Sequence, residues 1–372
     1  MAFSKITAGG VDGGVGDSLR PNANPLIING DMAVAQRGTS SASISTGGYY
    51  TCDRWKFEHT GNAGTFTLSQ STDVPSGYGF ANSFKMDCTT AQGTIGSGNR
   101  IGIRQFFEGQ DLQLIKKGTA NAEKITLAFW VKSTKTGTFI AELYDEDNAR
   151  QVSKAYTVST TNTWEFKVIN FPADTTGAFD NDNASSMVLF LWTGGGTNFT
   201  SGTLNTSWAS ATSANRAVGQ VNASDSTSND FLITGVQLEV GEYTSSTLPD
   251  FQHESFADNF SRCARYFFYT GGGSTYASHG VGNEVSATAG YVNIPLITPM
   301  RSAPSVTHIS QVVLWDGNGE SNIDSIGNVY YANYGSILQV GCVVNGGIDD
   351  TAGITAYSSN DTTSGFELNA EL

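Results

Sequence analysis

Apolar and polar residues alternate in short segments along most of the chain, and runs of Gly, Ser, Thr and Asn separate these segments. Alternation with a period of two is typical of a β-strand that buries one face. Clear examples are Phe84 to Cys88, Leu127 to Val131 and Phe139 to Tyr144. Roughly ten such segments, each followed by a polar turn, lie between residues 24 and 242. This spacing predicts a two-sheet sandwich of the jelly-roll kind.

The pattern changes within residues 231–270. Alternation continues through the first part of this stretch with one slip of phase at Gly235, which predicts a β-bulge. Pro249 and Asp250 then signal the start of a helix that extends to about Tyr266. The apolar residues that follow have helical spacing, and they are Phe256, Phe260, Cys263 and Phe267. A helix of about four turns is marginal in water by itself, so this stripe either packs on its own domain or meets copies of itself around a symmetry axis.

A second series of alternating segments, from residue 270 to 372, predicts another β-sandwich of about 100 residues. The expected fold class is therefore all-β, with a jelly-roll sandwich, a short connecting helix and a second, smaller distal β-sandwich. The expected parts are an N-terminal segment (1–24), the jelly roll (25–245), a linker and helix (246–269) and the distal sandwich (270–372).

The N-terminal segment is rich in glycine and poor in aromatic residues, so it cannot bury a core of its own. It is expected to be either a flexible tail or a peptide that orders only on a larger assembly. No strand precedes its glycines and the phosphate-loop pattern is missing, which excludes a nucleotide-binding loop.

Charge and hydropathy limit the partners. The 372-residue chain has a formal net charge of -14, and no cluster of Lys or Arg occurs in it. Nucleic acids and anionic membrane surfaces both require a basic footprint, so neither is an expected partner. The sequence has neither an apolar run long enough for a membrane span nor the apolar core of a signal peptide, so we expect synthesis in a cytoplasm and no membrane insertion.

Four cysteines lie far apart in the sequence, at Cys52, Cys88, Cys263 and Cys342. None has the spacing of a zinc site. They are expected to be reduced, buried thiols, with a Cys52 to Cys88 disulfide as the alternative.

Catalytic and metal-binding motifs are missing from the sequence. None of the four histidines falls in a nucleophile or zinc pattern. The carboxylates of Asp145 and Asp147 are better interpreted as a hairpin turn than as a glycosidase pair. Asp180 to Asn183 offers oxygen ligands suitable for calcium, but an Asx turn is the preferred interpretation. The sequence therefore predicts neither an enzyme nor a bound metal or cofactor.

Aromatic side chains are the candidate binding residues, since a ring covers the apolar face of a sugar while neighbouring amides and carboxylates bind its hydroxyls. Strand alternation accounts for many of the rings as core residues. The candidate ligand-binding residues, all in the distal region, are Trp315, Tyr331, Tyr334 and Tyr357.

Several ordered motifs resemble a family of bacteriophage tail-fibre and related virion appendage proteins. They are NPLIINGDMAVAQRG from Asn24, YYTCDRW from Tyr49, SGTLNTSWASATSANRAVGQVN from Ser201, GVQLEVG from Gly235 and CARYFFY from Cys263. The distal segments NIPLITPMRSAPSVT from Asn293 and FELNAEL from Phe366 are similar to tail-fibre tips.

The resemblance implies a homotrimeric fibre on a virion, with a jelly roll similar to carbohydrate-binding modules and a distal domain that meets a glycan or other receptor on the host surface. It also implies that the N-terminus contacts other virion proteins and that the helical stripe (Phe256, Phe260, Cys263, Phe267) is the trimer interface. Such jelly rolls commonly bind a structural calcium ion, but this chain has Ala33 where a Glu is common and Thr234-Gly235 where an acidic pair is frequent, so we predict no metal there.

The predicted function is therefore that of a non-enzymatic tail fibre that mediates adsorption. Two alternatives stay open. One is a capsid-attached head fibre or adaptor without a receptor, and the other is a glycan depolymerase with a site between subunits.

Overall fold

The computed structural model describes residues 25–331, 335–348 and 353–372. The predictions for the N-terminal segment (1–24) and for Tyr334 therefore lie outside the described residues. The chain divides between Ser255 and Phe256 into two compact units. The expected all-β class is confirmed.

The first unit contains twelve of the described strands. They are β1 (Ser40–Ile44), β2 (Lys56–His59), β3 (Thr65–Ser71), β4 (Ser83–Thr90), β5 (Arg100–Glu108), β6 (Ile125–Ser133), β7 (Gly137–Asp145), β8 (Arg150–Val158), β9 (Glu165–Phe171), β10 (Ser185–Gly195), β11 (Ala209–Ser210) and β12 (Asp230–Val240). Its helical elements are one turn, α1 (Thr197–Thr200), and the 3-10 helices Gly109–Asp111, Gln113–Ile115 and Ser213–Asn215.

Two antiparallel six-stranded sheets form the sandwich. The first sheet has the order β1-β3-β4-β12-β6-β9, and the second has the order β11-β8-β7-β10-β5-β2. Alternate residues of both sheets meet in one core, which includes Trp55, Phe129, Leu191 and Phe231. This arrangement follows from the alternation, because a period of two directs every second side chain to the same face.

The predicted bulge at Gly235 is confirmed. The pairing of β12 with β6 shifts register between Thr234 and Gln237, and Gly235 has a left-handed φ of 60°. Ile233 lies in the core before the bulge and Val236 lies in the core after it. The extra residue therefore moves Gln237 to the outer face of the first sheet.

The outer face of the second sheet is covered by the segment that follows β10. Trp192 is fully buried there, and its indole N–H donates to Glu142 Oε2 over 2.9 Å. Arg216, from the covering segment, donates to both oxygens of Glu142 over 2.7 and 3.0 Å. Packing and the two charge-assisted hydrogen bonds from Arg216 to Glu142 therefore cover this face.

The second unit begins with helix α2 (Phe256–Ala264) and continues with nine strands among its described residues. They are β13 (Phe267–Tyr269), β14 (Ser278–Ser286), β15 (Ala289–Pro295), β16 (Ser305–Ile309), β17 (Val312–Trp315), β18 (Glu320–Tyr331), β19 (Ile337–Val344), β20 (Gly353–Ser358) and β21 (Gly365–Asn369). No helix among the described residues has the length and apolar character needed to cross a membrane.

The second unit refines the expected distal sandwich. Six strands close into a barrel in the order β14-β15-β19-β18-β17-β20, and a separate sheet has the order β13-β21-β16. Leu338, Val340 and Ile354 lie in the core shared by these strands. Alternation specifies a buried face for each strand but not whether the sheet closes, so it could not distinguish a barrel from two facing sheets.

The helix is shorter than the sequence predicts. It begins at Phe256 instead of Asp250, and residues 250–255 have no regular secondary structure. Phe251 and His253 in this stretch pack against Phe80 of the first unit, with ring centroids 5.1 and 5.2 Å from its ring. These contacts hold the segment on the sandwich, so the helix begins six residues later in the sequence than predicted.

All four cysteines are buried and free, as the sequence predicts. Burial raises the pKa of the Cys88 thiol to about 11 and that of Cys342 to about 12, and it also raises the pKa of Cys52. The alternative Cys52 to Cys88 disulfide is not formed.

Candidate functional site

A cleft of about 500 Å³ opens on the outer face of the first sheet. We call it the aromatic cleft, and its lining residues are Gly77, Tyr78, Phe80, Trp130, Phe166, Gly235, Gln237, Ser245, Leu248, Pro249, Asp250, Phe251 and His253. Strands β12, β6 and β9 provide its floor, and the segment after β12 provides one wall.

Three rings in contact, each tilted by 41° to 48° against the next, form what we call the ring platform of the cleft. Trp130 and Phe166 are opposite partners on β6 and β9, and their ring centroids lie 5.2 Å apart. The ring centroid of Tyr78 lies 4.3 Å from that of Trp130, and Tyr78 is 55% exposed. Trp130 points outward because its neighbours Phe129 and Val131 occupy the core. The register of two strands thus places two of the rings, and a loop brings the third.

A second group of rings forms the wall of the cleft. Phe80, Phe251 and His253 contact one another, with centroids 4.9 to 5.2 Å apart. The ring of Phe80 lies directly over Gly235, where a Cβ atom would stand 2.5 Å from the ring. The bulge therefore needs glycine both for its left-handed φ and for this close approach.

Gln237 supplies an unused hydrogen-bond acceptor. Its side-chain Nε2 donates to the carbonyl of Pro249 over 3.2 Å. Its Oε1 is buried and has no hydrogen-bond partner among the described residues. Only 5% of the residue is exposed. An unsatisfied buried acceptor costs about 1–3 kcal/mol, so a donor that enters the cleft would recover that free energy.

Charged groups are sparse in the cleft. Asp250 is the single carboxylate among its described lining residues. Outside the lining, Asp73 accepts hydrogen bonds from Lys132 over 2.6 Å and from Trp164 over 3.0 Å. Burial alone would raise the pKa of Asp73, but these two bonds lower it overall. A pair of facing carboxylates for glycoside hydrolysis is therefore not present among these lining residues.

Platform rings beside a free amide acceptor are suited to a sugar. A ring face covers the apolar side of a pyranose, and a buried amide oxygen accepts from a hydroxyl. The cleft was not predicted from the sequence. Alternation does place Trp130 on the face opposite Phe129, but its contact with Tyr78 depends on the fold of a loop.

Two of the four predicted ligand residues lie together on the outside of the barrel. Trp315, which is 47% exposed, opposes Glu320 in the pairing of β17 with β18. The Tyr357 hydroxyl donates to Glu320 Oε1, and the Tyr276 ring lies 6.2 Å from the Tyr357 ring. Burial and this hydrogen bond raise the pKa of Tyr357 to about 12.

The other two predicted ligand residues do not join this group in the described structure. Tyr331 is half-buried, and its hydroxyl donates to the carbonyl of Met300 over 3.0 Å. Tyr334 lies outside the described residues.

The predicted interface stripe is corrected by the structure. Phe256 is 64% exposed and stacks on Phe260, with centroids 5.9 Å apart. Cys263 is fully buried, and Phe267 is buried in β13 rather than on the helix. The helix ends at Ala264, so helical spacing does not extend to Phe267. Only Phe256 and Phe260 remain as candidates for contact with another chain.

The candidate calcium segment forms a turn. Asp182 Oδ1 accepts from the backbone N–H of Ala184 over 2.9 Å, which is an Asx turn. Within the described ranges, no group of three His, Cys, Asp or Glu side chains has the arrangement of a metal site.

Comparisons with known proteins give weak structural likenesses. No protein-family model matches the chain, and no curated protein matches it in sequence. Among solved structures, the enzymatically active domain of tailspike protein 4 from bacteriophage CBA120 is 16% identical, with 54% of this chain and 21% of that chain covered and a TM-score of 0.30. The chain thus spans about a fifth of that domain.

Two carbohydrate-binding modules also have low similarity. The CBM22-1 xylan-binding domain from Paenibacillus barcinonensis is 12% identical, with 57% of this chain and 100% of that chain covered and a TM-score of 0.26. The family 11 module from Clostridium thermocellum is 12% identical, with coverage of 58% and 98% and a TM-score of 0.25.

Proposed function

We propose that this chain is a non-enzymatic tail-fibre protein of a phage virion, which assembles as a homotrimer and binds a glycan on the host surface during adsorption. The aromatic cleft is the observation that carries the glycan assignment. The ordered sequence motifs from Asn24 to Tyr269 support the virion assignment.

The cleft matches a sugar better than other ligand classes. Tyr78, Trp130 and Phe166 offer adjacent ring faces, and Gln237 offers an acceptor that the protein itself leaves unpaired. A nucleotide or other anion would require cations, and the lining contains neither Lys nor Arg among its described residues. The ligand class is therefore an uncharged saccharide.

Two substitutions test the cleft on an array of neutral and acidic oligosaccharides. Trp130→Ala should weaken binding at least tenfold, since it removes the centre of the ring platform. Gln237→Leu keeps the approximate volume but removes the acceptor, and it should weaken binding about tenfold, which corresponds to about 1.4 kcal/mol.

Ile297→Ala is the control, because Ile297 is an exposed apolar residue of the second unit, 53% accessible and outside the cleft. Melting temperatures of all variants separate binding from folding. Unchanged oligosaccharide binding by a folded Trp130→Ala protein would refute the role of the cleft.

The second unit is proposed to contact the receptor through the residues expected from the sequence, Trp315, Tyr331, Tyr334 and Tyr357. Trp315 and Tyr357 already share one face of the barrel beside Glu320. The proposed trimer contact on α2 is the exposed Phe256 together with the half-buried Phe260 that stacks on it.

Attachment to the particle is proposed to use residues 1–24. A chain without them should form a folded trimer that fails to join virions, and normal incorporation would contradict the assignment. Imaging of the particle then locates the protein on tail or head, and release of reducing ends from host polysaccharide would identify a depolymerase instead.

A further inference from the structure

One outer wall of the barrel combines two tyrosines with four amide side chains. We call this surface the barrel wall, and it consists of Asn283, Tyr291, Asn293, Asn328, Tyr330 and Gln339. It is built on β14, β15, β19 and β18, which are consecutive neighbours in the barrel.

Strand register brings these side chains to one face. Gln339 of β19 is paired with Asn293 of β15 on one side and with Tyr330 of β18 on the other. In the next row, Tyr291 of β15 is paired with Asn283 of β14. The residues between them along the strands, such as Val292 and Val340, lie in the barrel core. The barrel wall therefore follows from alternation and from pairing together.

The two rings form a shaped apolar surface. The centroids of Tyr291 and Tyr330 lie 5.7 Å apart with the planes at 63°, and Tyr330 is 51% exposed. Tyr291 lies across Gly341, where an added Cβ would stand 3.2 Å from its ring. Asn328 Nδ2 donates to the Tyr330 hydroxyl over 3.3 Å, and this hydrogen bond orients the Tyr330 ring.

The amides between the rings keep spare hydrogen-bonding capacity. Gln339 Nε2 donates to Asn293 Oδ1 over 3.3 Å, so each amide orients the other. Within the part of the chain that the structure describes, Gln339 Oε1 and Asn293 Nδ2 make no further hydrogen bond to protein. One acceptor and one donor thus stand side by side next to an exposed ring.

None of the six side chains is charged, although the whole chain has a net charge of -14. The neighbouring exposed residues Val281, Ile337 and Val343 on β14 and β19 are aliphatic. A charged ligand would find no counter-ion on this wall. Four strands about 4.8 Å apart give a width of roughly 15 Å, which suits a few consecutive sugar rings.

We propose that the barrel wall is a second carbohydrate-binding site, specific for an uncharged oligosaccharide, in which Tyr291 and Tyr330 stack on sugar faces while Asn293 and Gln339 bind hydroxyls. The site belongs to a different unit from the aromatic cleft and shares no residue with it. It extends the proposed function, but it does not depend on the cleft.

The experiment uses the full chain with the cleft disabled by Trp130→Ala, so that residual binding reports the second site. An array of neutral oligosaccharides and their sialylated and sulfated counterparts provides the probe. The Trp130→Ala protein should still bind some neutral oligosaccharides of the array. It should not bind their sialylated or sulfated counterparts. Adding Tyr330→Ala should weaken that residual binding about tenfold or more, and adding Gln339→Leu should have a similar effect.

The matched control is Val285→Ala in the same background, because Val285 is an exposed residue of β14 that is not in the barrel wall. It should leave residual binding unchanged, and Tyr330→Phe, which keeps the ring, should weaken binding less than Tyr330→Ala.

Each contrary outcome overturns the inference. Complete loss of binding in Trp130→Ala would mean that the cleft is the sole site. Residual binding that Tyr330→Ala leaves intact would place the second site elsewhere. A change of oligomeric mass in Tyr330→Ala, without any loss of glycan binding, would identify the wall as a contact with a second copy. Failure of the cleft proposal is distinct, since it would appear as unchanged binding in Trp130→Ala relative to the natural sequence.

Discussion

Lys117 is a buried cation enclosed by oxygen atoms. Its Nζ donates to Asp145 Oδ2 over 2.5 Å and to the carbonyls of Thr176 and Gly177 over 3.0 and 2.7 Å. Asp174 Oδ2 lies 3.1 Å away. Desolvated carboxylates are tolerated only when a cation and hydrogen bonds compensate them, so this lysine neutralises the carboxylates next to it.

Replacing Lys117 with methionine should destabilise the sandwich by about 3–5 kcal/mol, because it leaves the buried Asp145 charge without its cation. The free energy of unfolding in urea measures the loss. The adjacent Lys116 is the control, since its ion pair with Glu123 is exposed and Lys116→Met should cost no more than about 1 kcal/mol. Equal effects of the two substitutions would contradict the role of Lys117.

His279 makes the second unit sensitive to acid. Its Nε2 lies 2.9 Å from Ser358 Oγ, and burial lowers its pKa below the ordinary 6.5. The folded unit therefore holds His279 neutral, while the unfolded chain binds a proton near pH 6.5. The resulting stability is present above pH 6.5 and is lost as the pH falls through the lowered pKa of the folded state.

Unfolding measured between pH 7.5 and pH 5 should show this loss, with a slope of at most about 1.4 kcal/mol per pH unit from this residue. In His279→Gln the side chain stays neutral, so the difference in slope between the two proteins isolates the histidine. Identical pH profiles would show that His279 does not titrate differently on folding.

At the scale of an element, strand β12 depends on its single bulge. Gly235→Ala should destabilise the sandwich and weaken saccharide binding, because alanine adds left-handed strain of about 1 kcal/mol and a Cβ clash with Phe80. Gly38 is a matched control, since it also has positive φ and open space around its Cβ position, and it does not line the cleft. Gly38→Ala should show the strain alone, and an equal loss of stability in both variants would argue against the Phe80 contact.

The same strand shows how far sequence reasoning extends. The phase slip at Gly235 is visible in the order of apolar residues, and the structure has the bulge there. The helix start at Asp250 was predicted from local signals and is wrong by six residues, because Phe251 packs on Phe80, far away in sequence. Local patterns thus predict strands and their buried faces, whereas contacts between distant segments decide where the cleft forms.

For the whole molecule, the proposed trimer would link three weak binding sites, and this linkage would set the strength of binding to a cell surface. Phe256→Asp should convert the trimer to monomers, since burying an unpaired charge at a subunit contact costs several kcal/mol. Analytical ultracentrifugation measures the mass. The exposed Ile297→Asp, outside the helix, should leave it unchanged.

Cell binding by the same Phe256→Asp protein should fall by about 10² to 10⁴, because three linked sites gain avidity that one site lacks. Its affinity for a single soluble oligosaccharide should be the same as that of the natural sequence. A monomer with full cell binding would contradict the role of linkage.

Closure of the barrel could not be predicted from the sequence, because it too depends on contacts between distant segments. Each strand of the second unit alternates as expected, yet closure requires β14 to pair with β20, about seventy residues later. The ring pair Tyr291 and Tyr330 likewise depends on which strands become neighbours.

Burial of the thiols determines how the protein responds to an oxidising solution. A thiol reacts as its thiolate, and burial keeps Cys52, Cys88 and Cys342 protonated at neutral pH. The folded chain should therefore form no disulfide through these three residues when it passes from a reducing to an oxidising solution.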